Sequence, residues 1–152
     1  MRTKLSATLF CVATLALQGC GSMQLGGGDV ASSSAVTQLK AVRSSHGLSA
    51  LAPDRTLERA ALQQARYMAA SSRMTHTTGR GRDFKTRMHE HEITLAAENI
   101  AYGSMDVSRL FKMWRDSPPH RKNMLDPRFS RFGLASAENA KGVRYWALVL
   151  GK

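Results

Sequence analysis

The stretch Val143 to Gly151, VRYWALVLG, is apolar without interruption from Tyr145 to Leu150. A strand with one wet face alternates apolar and polar side chains, so an unbroken run reads as a central strand covered on both faces. Just before it, RFGLASA (Arg131 to Ala137) is a second β-type run, and ENAKG (Glu138 to Gly142) supplies turn chemistry between the two. The helical periods lie upstream. Val36, Leu39 and Val42 share one side of a helix that begins at Ala35 and is stopped by Gly47. Leu57, Ala60, Ala61, Gln64, Ala65 and Met68 form an alanine-rich face on a helix over 55–71, with Asp54 as its N-cap. Val107, Leu110, Phe111 and Trp114 predict a third helix over 107–116, capped by Asp106 and ended by Ser117-Pro118-Pro119. Helices first and an antiparallel hairpin last point to an α+β layered domain.

Between Ser72 and Glu92 the glycines and mixed charges of GRGRDFKTRMHEHE read as an exposed loop, with one helical turn over Phe84–Met88 capped by Asp83. The HEHE at its end is expected to face solvent rather than a metal. Met68, Phe111, Trp114 and Trp146 are expected in the core.

The start of the chain has a different character. Arg2 and Lys4 precede an apolar run from Leu5 to Leu17, and small residues lead to Cys20, the pattern of an export signal. The run is shorter than the about 20 apolar residues a spanning helix needs. Leu17-Gln18-Gly19-Cys20 resembles the lipobox of bacterial lipoproteins, which implies a signal peptide over 1–19 and an acylated Cys20 as membrane anchor. Residues 20–34, rich in Gly and Ser, read as a flexible tether, leaving a folded domain over 35–152. Cys11 leaves with the signal, so no disulfide is expected in the domain.

Loss of residues 1–19 removes two basic residues and no acid, leaving 20 basic against 11 acidic residues, a net +9. In the cytosol that balance suggests nucleic acid. An exported protein meets anionic lipid headgroups and cell-wall polymers, to which the same long-range attraction applies. The expected partners are therefore the membrane and an anionic lipid or cell-wall ligand, and not nucleic acid.

Six segments, in order, carry a family resemblance: GLSALAPDRTLERAALQQARYMA, Met74-Thr75-His76, AENIAYG (Ala97 to Gly103), WRDSPPHRKNML (Trp114 to Leu125), Phe129 to Leu134, and YWALVLG. Together they resemble the bacterial branch of the CAP superfamily, the SCP-like domains related to cysteine-rich secretory proteins, antigen 5 and pathogenesis-related protein 1. The resemblance implies a three-layer α-β-α sandwich with a small antiparallel sheet and a cleft into which two histidines and one or two acids point. Carried over residue by residue, these are His76, Glu98 and His120, with Asn99, Ser117 and Arg121 beside the cleft. Some relatives carry an acid three residues after the tryptophan, where this chain has Ser117.

Two imidazoles and a carboxylate form a plausible open site for Zn²⁺ or another divalent ion, the fourth position being left for water or substrate. A metal-dependent hydrolase using His76, Glu98 and His120 is then one reading. No HExxH helix, GxSxG elbow or phosphate-cradling loop is present, and no catalyst is assigned. The other reading is a non-enzymatic, lipid-anchored cell-envelope module, placed at the outer membrane in a Gram-negative cell because Gly21 follows Cys20. Glu98 and Asn99 could equally serve buried backbone groups.

Overall fold

A computed structural model of the protein describes residues 27–152. The signal-like run, Cys20 and the first part of the tether lie outside the described residues. The elements run β1 (Gly28–Val30), α1 (Ser32–Ser44), β2 (Ala52–Pro53), α2 (Arg55–Ser71), α3 (Phe84–Glu90), β3 (Ala96–Tyr102), α4 (Val107–Asp116), α5 (Pro118–Met124), β4 (Arg131–Glu138) and β5 (Arg144–Gly151). The sheet order is β1-β4-β5-β3, antiparallel throughout, with the two-residue β2 added parallel to β4.

β5 lies inside this sheet, and its unbroken apolar run serves two cores. Trp146, Leu148 and Leu150 pack with α1, α4 and α5; Tyr145, Ala147 and Val149 pack with α2 and α3. The α-β-α sandwich follows from that alternation. Met68, Phe111, Trp114 and Trp146 are all buried, as expected of core residues. No helix among the described residues is long and apolar enough to cross a membrane.

The alanine face of α2 lets the helix approach the sheet closely: Ala60, Ala61 and Ala65 have no exposed surface and share a core with Ala135 and Ala147. Asp54 fixes where α2 begins, its carboxylate accepting from the Thr56 and Leu57 amides at 2.9 and 3.0 Å. Gly133 of β4 faces that helix start.

The tether reading of residues 28–34 is corrected by the structure. Gly28–Val30 pair with Ala135–Ala137 of β4, and α1 opens at Ser32. Glycine and serine serve close packing here: a Cβ on Gly28 would meet the Leu62 side chain and the Ser136 carbonyl at 2.8 Å, and the buried Ser32 hydroxyl accepts from the Leu134 amide at 2.9 Å.

Two further elements differ from the sequence expectation. Ser117 ends α4 and is also the N-cap position of α5, whose first two residues are Pro118 and Pro119. Proline cannot continue a helix but suits the first turn, where amides have no partner within the helix. β3 was not expected, because Glu98 and Asn99 interrupt its apolar pattern. α3 extends the expected single turn to Glu90.

Candidate functional site

β3 is an edge strand, and successive side chains on a strand point to opposite faces. Ile100 and Ala101 mark the two sides, joining the α2 and α4 cores respectively. By the same alternation Glu98 faces the α2–α3 layer and Asn99 the α4–α5 layer. The edge carbonyls are covered too: Asn123 donates to the Glu98 carbonyl at 3.3 Å, and the Trp114 indole donates to that of Ile100 at 3.3 Å.

On the α3 side, Glu98 meets a fully buried arginine. Arg87 sends its two terminal nitrogens to the two Glu98 oxygens at 2.8 and 2.9 Å, and the Glu98 side chain is only 2% exposed. His76 Nδ1 lies 2.8 Å from Glu98 Oε1, with 53% of its side chain exposed. An ionised carboxylate only accepts, so His76 is the donor at Nδ1. The His76 loop is held from beneath: Gln64 Nε2 donates to the Thr75 carbonyl at 2.7 Å and Arg87 to the His76 carbonyl at 3.4 Å.

On the α5 side, Asn99 Nδ2 donates to the His120 carbonyl at 3.0 Å, and Asn123 Nδ2 donates to Asn99 Oδ1 at 2.9 Å. Asn99 thus serves a backbone group, one of the two roles open to it from the sequence. The His120 ring is fixed by Ser117 Oγ, 2.9 Å from Nδ1, and lies 6.4 Å from the Trp114 ring centroid. Each histidine is therefore held by Nδ1, which leaves Nε2 to meet a ligand.

His76 is near enough for its charge to oppose protonation of His120. The His120 pKa is lowered, first by burial and then by His76. A hydroxyl partner supplies no negative charge to offset either effect. The folded protein thus holds His120 neutral in a window just below its ordinary pKa, where the unfolded chain is protonated. Stability contributed by the neutral ring is present above about pH 6.5 and declines as pH falls through the folded value. NMR titration should place His120 below the unfolded value, and Ser117→Asp should move it upward. An unshifted His120 in both forms contradicts this electrostatic account.

The structure thus brings His76 and Glu98 into contact and ties Asn99 and Ser117 to His120. Arg121 is turned away, its Nη1 donating to the Arg115 carbonyl at 2.9 Å. Sequence reasoning missed Arg87, Asn123 and Gln64. Asn123 had a signal, lying one helical turn after His120; Arg87 had none beyond its charge. In HEHE, Glu90 and His91 both bind the Gln63 amide, at 2.9 and 3.1 Å.

The sequence model described as the cysteine-rich secretory protein family, CAP, matches residues 36–150. The chain belongs to the CAP family. The uncharacterized protein YkwD of Bacillus subtilis is 31% identical over 101 residues, 65% of this chain and 39% of that protein. The uncharacterized membrane protein YlbC of the same species is 27% identical over 95 residues, 61% of this chain and 28% of its own. The CAP domain thus matches well under half the length of either relative. Among solved structures, an outer surface protein of Borrelia burgdorferi superposes with a TM-score of 0.73 at 21% identity, covering 84% of this chain and 98% of that one. An extracellular SCP-domain protein of Bacillus anthracis gives 0.69 at 22% identity, covering 79% and 39%. These likenesses establish the fold.

A divalent metal here would have to fit the donor atoms of His76, Glu98 and His120. Glu98 already accepts three hydrogen bonds, two of them from Arg87. Zn²⁺ binds a carboxylate oxygen at about 2.0–2.2 Å, which would set it beside a guanidinium with no exposed surface to screen it. Glu98 therefore does not fit as a metal ligand. The two Nε2 atoms alone fall short of the three protein ligands of a catalytic zinc site. Among the described residues, no group of three or more His, Cys, Asp or Glu side chains is arranged to hold a metal ion.

Proposed function

We propose that this CAP domain is a non-enzymatic binding module of the bacterial cell envelope. Its cleft receives the anionic group of an amphipathic ligand, lipid or cell-wall material. The observation that carries this reading is the pairing of Glu98 with Arg87. A carboxylate held by a bidentate guanidinium is poorly available as a base, so the site offers two imidazole Nε2 positions and no activated nucleophile.

The basic balance of the chain, 22 Lys and Arg against 11 Asp and Glu, supports an anionic partner. The loop bearing His76 carries Arg73 and Arg80, both exposed, and Lys122 follows His120 on α5. An envelope location agrees with the names of relatives: a membrane protein, an outer surface protein and an extracellular protein. Acylation of Cys20 would anchor the domain, and the short segment before β1 would hold it close to the bilayer.

Co-sedimentation of the purified chain with vesicles tests the reading. The protein should pellet with phosphatidylglycerol vesicles or anionic cell-wall polymer at low salt, and not with phosphatidylcholine vesicles. Raising salt from 0.01 to 1 M should release it, since the Debye length falls from about 30 to about 3 Å. Replacing His76 and His120 together by Ala should weaken what binding remains at physiological salt. Failure to bind every anionic surface at low salt ends the proposal.

A further inference from the structure

We infer that Arg87 is the resident cation of the CAP cleft: its guanidinium holds the place at Glu98 that a divalent metal would need, and it assembles the His76 side of the site. Three contacts carry this. The guanidinium spans both oxygens of Glu98, it donates to the carbonyl of His76, and its central carbon lies 5.6 Å from the Phe84 ring centroid. The side chain is wholly buried, so this is a built-in part of the core rather than a surface pair.

A metal-bound histidine is commonly oriented by a carboxylate on its other nitrogen. Here Glu98 does that to His76 with no metal involved, because Arg87 anchors the carboxylate from behind. Short-range order does the rest. The Asp83 side chain caps α3 by accepting from the Thr86 amide at 3.0 Å, which sets the turn that presents Arg87 to β3. The choice of arginine matters, since only a planar fork can engage both carboxylate oxygens at once. The inference stands on this geometry and is independent of the ligand proposed above.

Calorimetric titration of the purified chain with Zn²⁺ alone is the test. In the wild type, Glu98→Gln should lower Zn²⁺ affinity by no more than the about 10–100-fold that loss of an orienting contact to His76 costs. Arg87→Met vacates the cation's place, and Zn²⁺ affinity should then rise at least about tenfold, the scale on which outer contacts tune metal sites. That gain should vanish in the Arg87→Met, Glu98→Gln double variant. Arg87→Lys, which keeps a positive charge, should show no gain. If Arg87→Met fails to fold alone, its fold should return when Zn²⁺ is present, and the wild type against Glu98→Gln decides the matter without it.

Two results overturn the inference: a wild type whose Zn²⁺ affinity drops by more than about 100-fold on Glu98→Gln, beyond what an orienting contact accounts for, or a folded Arg87→Met that gains nothing. The vesicle experiment is read separately. Its failure with the Zn²⁺ results as expected removes the envelope-ligand reading and leaves the resident cation in place.

Discussion

Gly133→Ala should cost the fold about 3 kcal/mol or more, at the upper end of what overpacking does. A Cβ at this position would lie well under 3.0 Å from the backbone of Leu57 and Glu58. Those atoms belong to the first turn of α2, which is pinned by the Asp54 cap and carries the alanine face that closes one core. They have no rotamer to change; the whole helix must move off β4, and the contacts of Ala60, Ala61 and Ala65 go with it. A domain of this size should lose roughly 10 °C in Tm. Gly27→Ala is the control, since nothing lies within 4 Å of its added Cβ. A Tm for Gly133→Ala within about 2 °C of wild type would mean that α2 is not seated on β4 as described, because overpacking of this kind ordinarily costs 1 kcal/mol or more.

The layers were legible where one residue type has one physical use. The unbroken apolar run of β5 could only be a strand covered twice, and alternate residues do enter the two cores. The Ala60, Ala61, Ala65 face could only be a close approach. Reading failed where one residue type has two uses. Gly28 and Ser32 are as suited to a flexible tether as to a tight edge strand, and only the partner strand, more than 100 residues away, decides between them. Pro118 and Pro119 end one helix and begin the next, and the sequence rule that detects the first event says nothing of the second.

The site divides the same way. His76, Glu98 and His120 were placed by motifs whose order the family resemblance supplied. What Glu98 does was not legible, because its meaning depends on Arg87. That residue sits in GRGRDFKTR among arginines of very different fate: Arg82 stacks over the Tyr67 ring at 4.5 Å, while Arg87 is buried. Charge is visible in a sequence; the partner that neutralises it is set by the rotation of α3. Ser117 is a middle case. Its departure from the acid of some relatives was visible, and the structure shows it holding His120 with a neutral hydroxyl.

Arg43→Met should destabilise the protein by about 3–5 kcal/mol, since several carbonyls lose a charged donor at once. Arg43 is 1% exposed and its guanidinium donates to carbonyls: Ser49 at 2.7 Å, Met124 at 2.8 Å, Asp126 at 3.0 Å and, more weakly, Phe129 at 3.5 Å. Methionine fills much of the volume but leaves those acceptors unsatisfied, and each buried orphan costs about 1–3 kcal/mol. Arg43→Lys keeps the charge yet lacks the fork, so it should recover only part of the loss. The effect should also be local. Met124 closes α5, the helix that carries His120 and Asn123, so losing the clamp should speed amide exchange in α5 beyond what global destabilisation predicts. Urea unfolding gives the first number and hydrogen exchange the second. A loss below about 1 kcal/mol, a single hydrogen bond's worth, would show that water replaces the guanidinium. Large destabilisation with α5 exchanging only as fast as the sheet would show that the clamp holds the fold without separately holding the cleft.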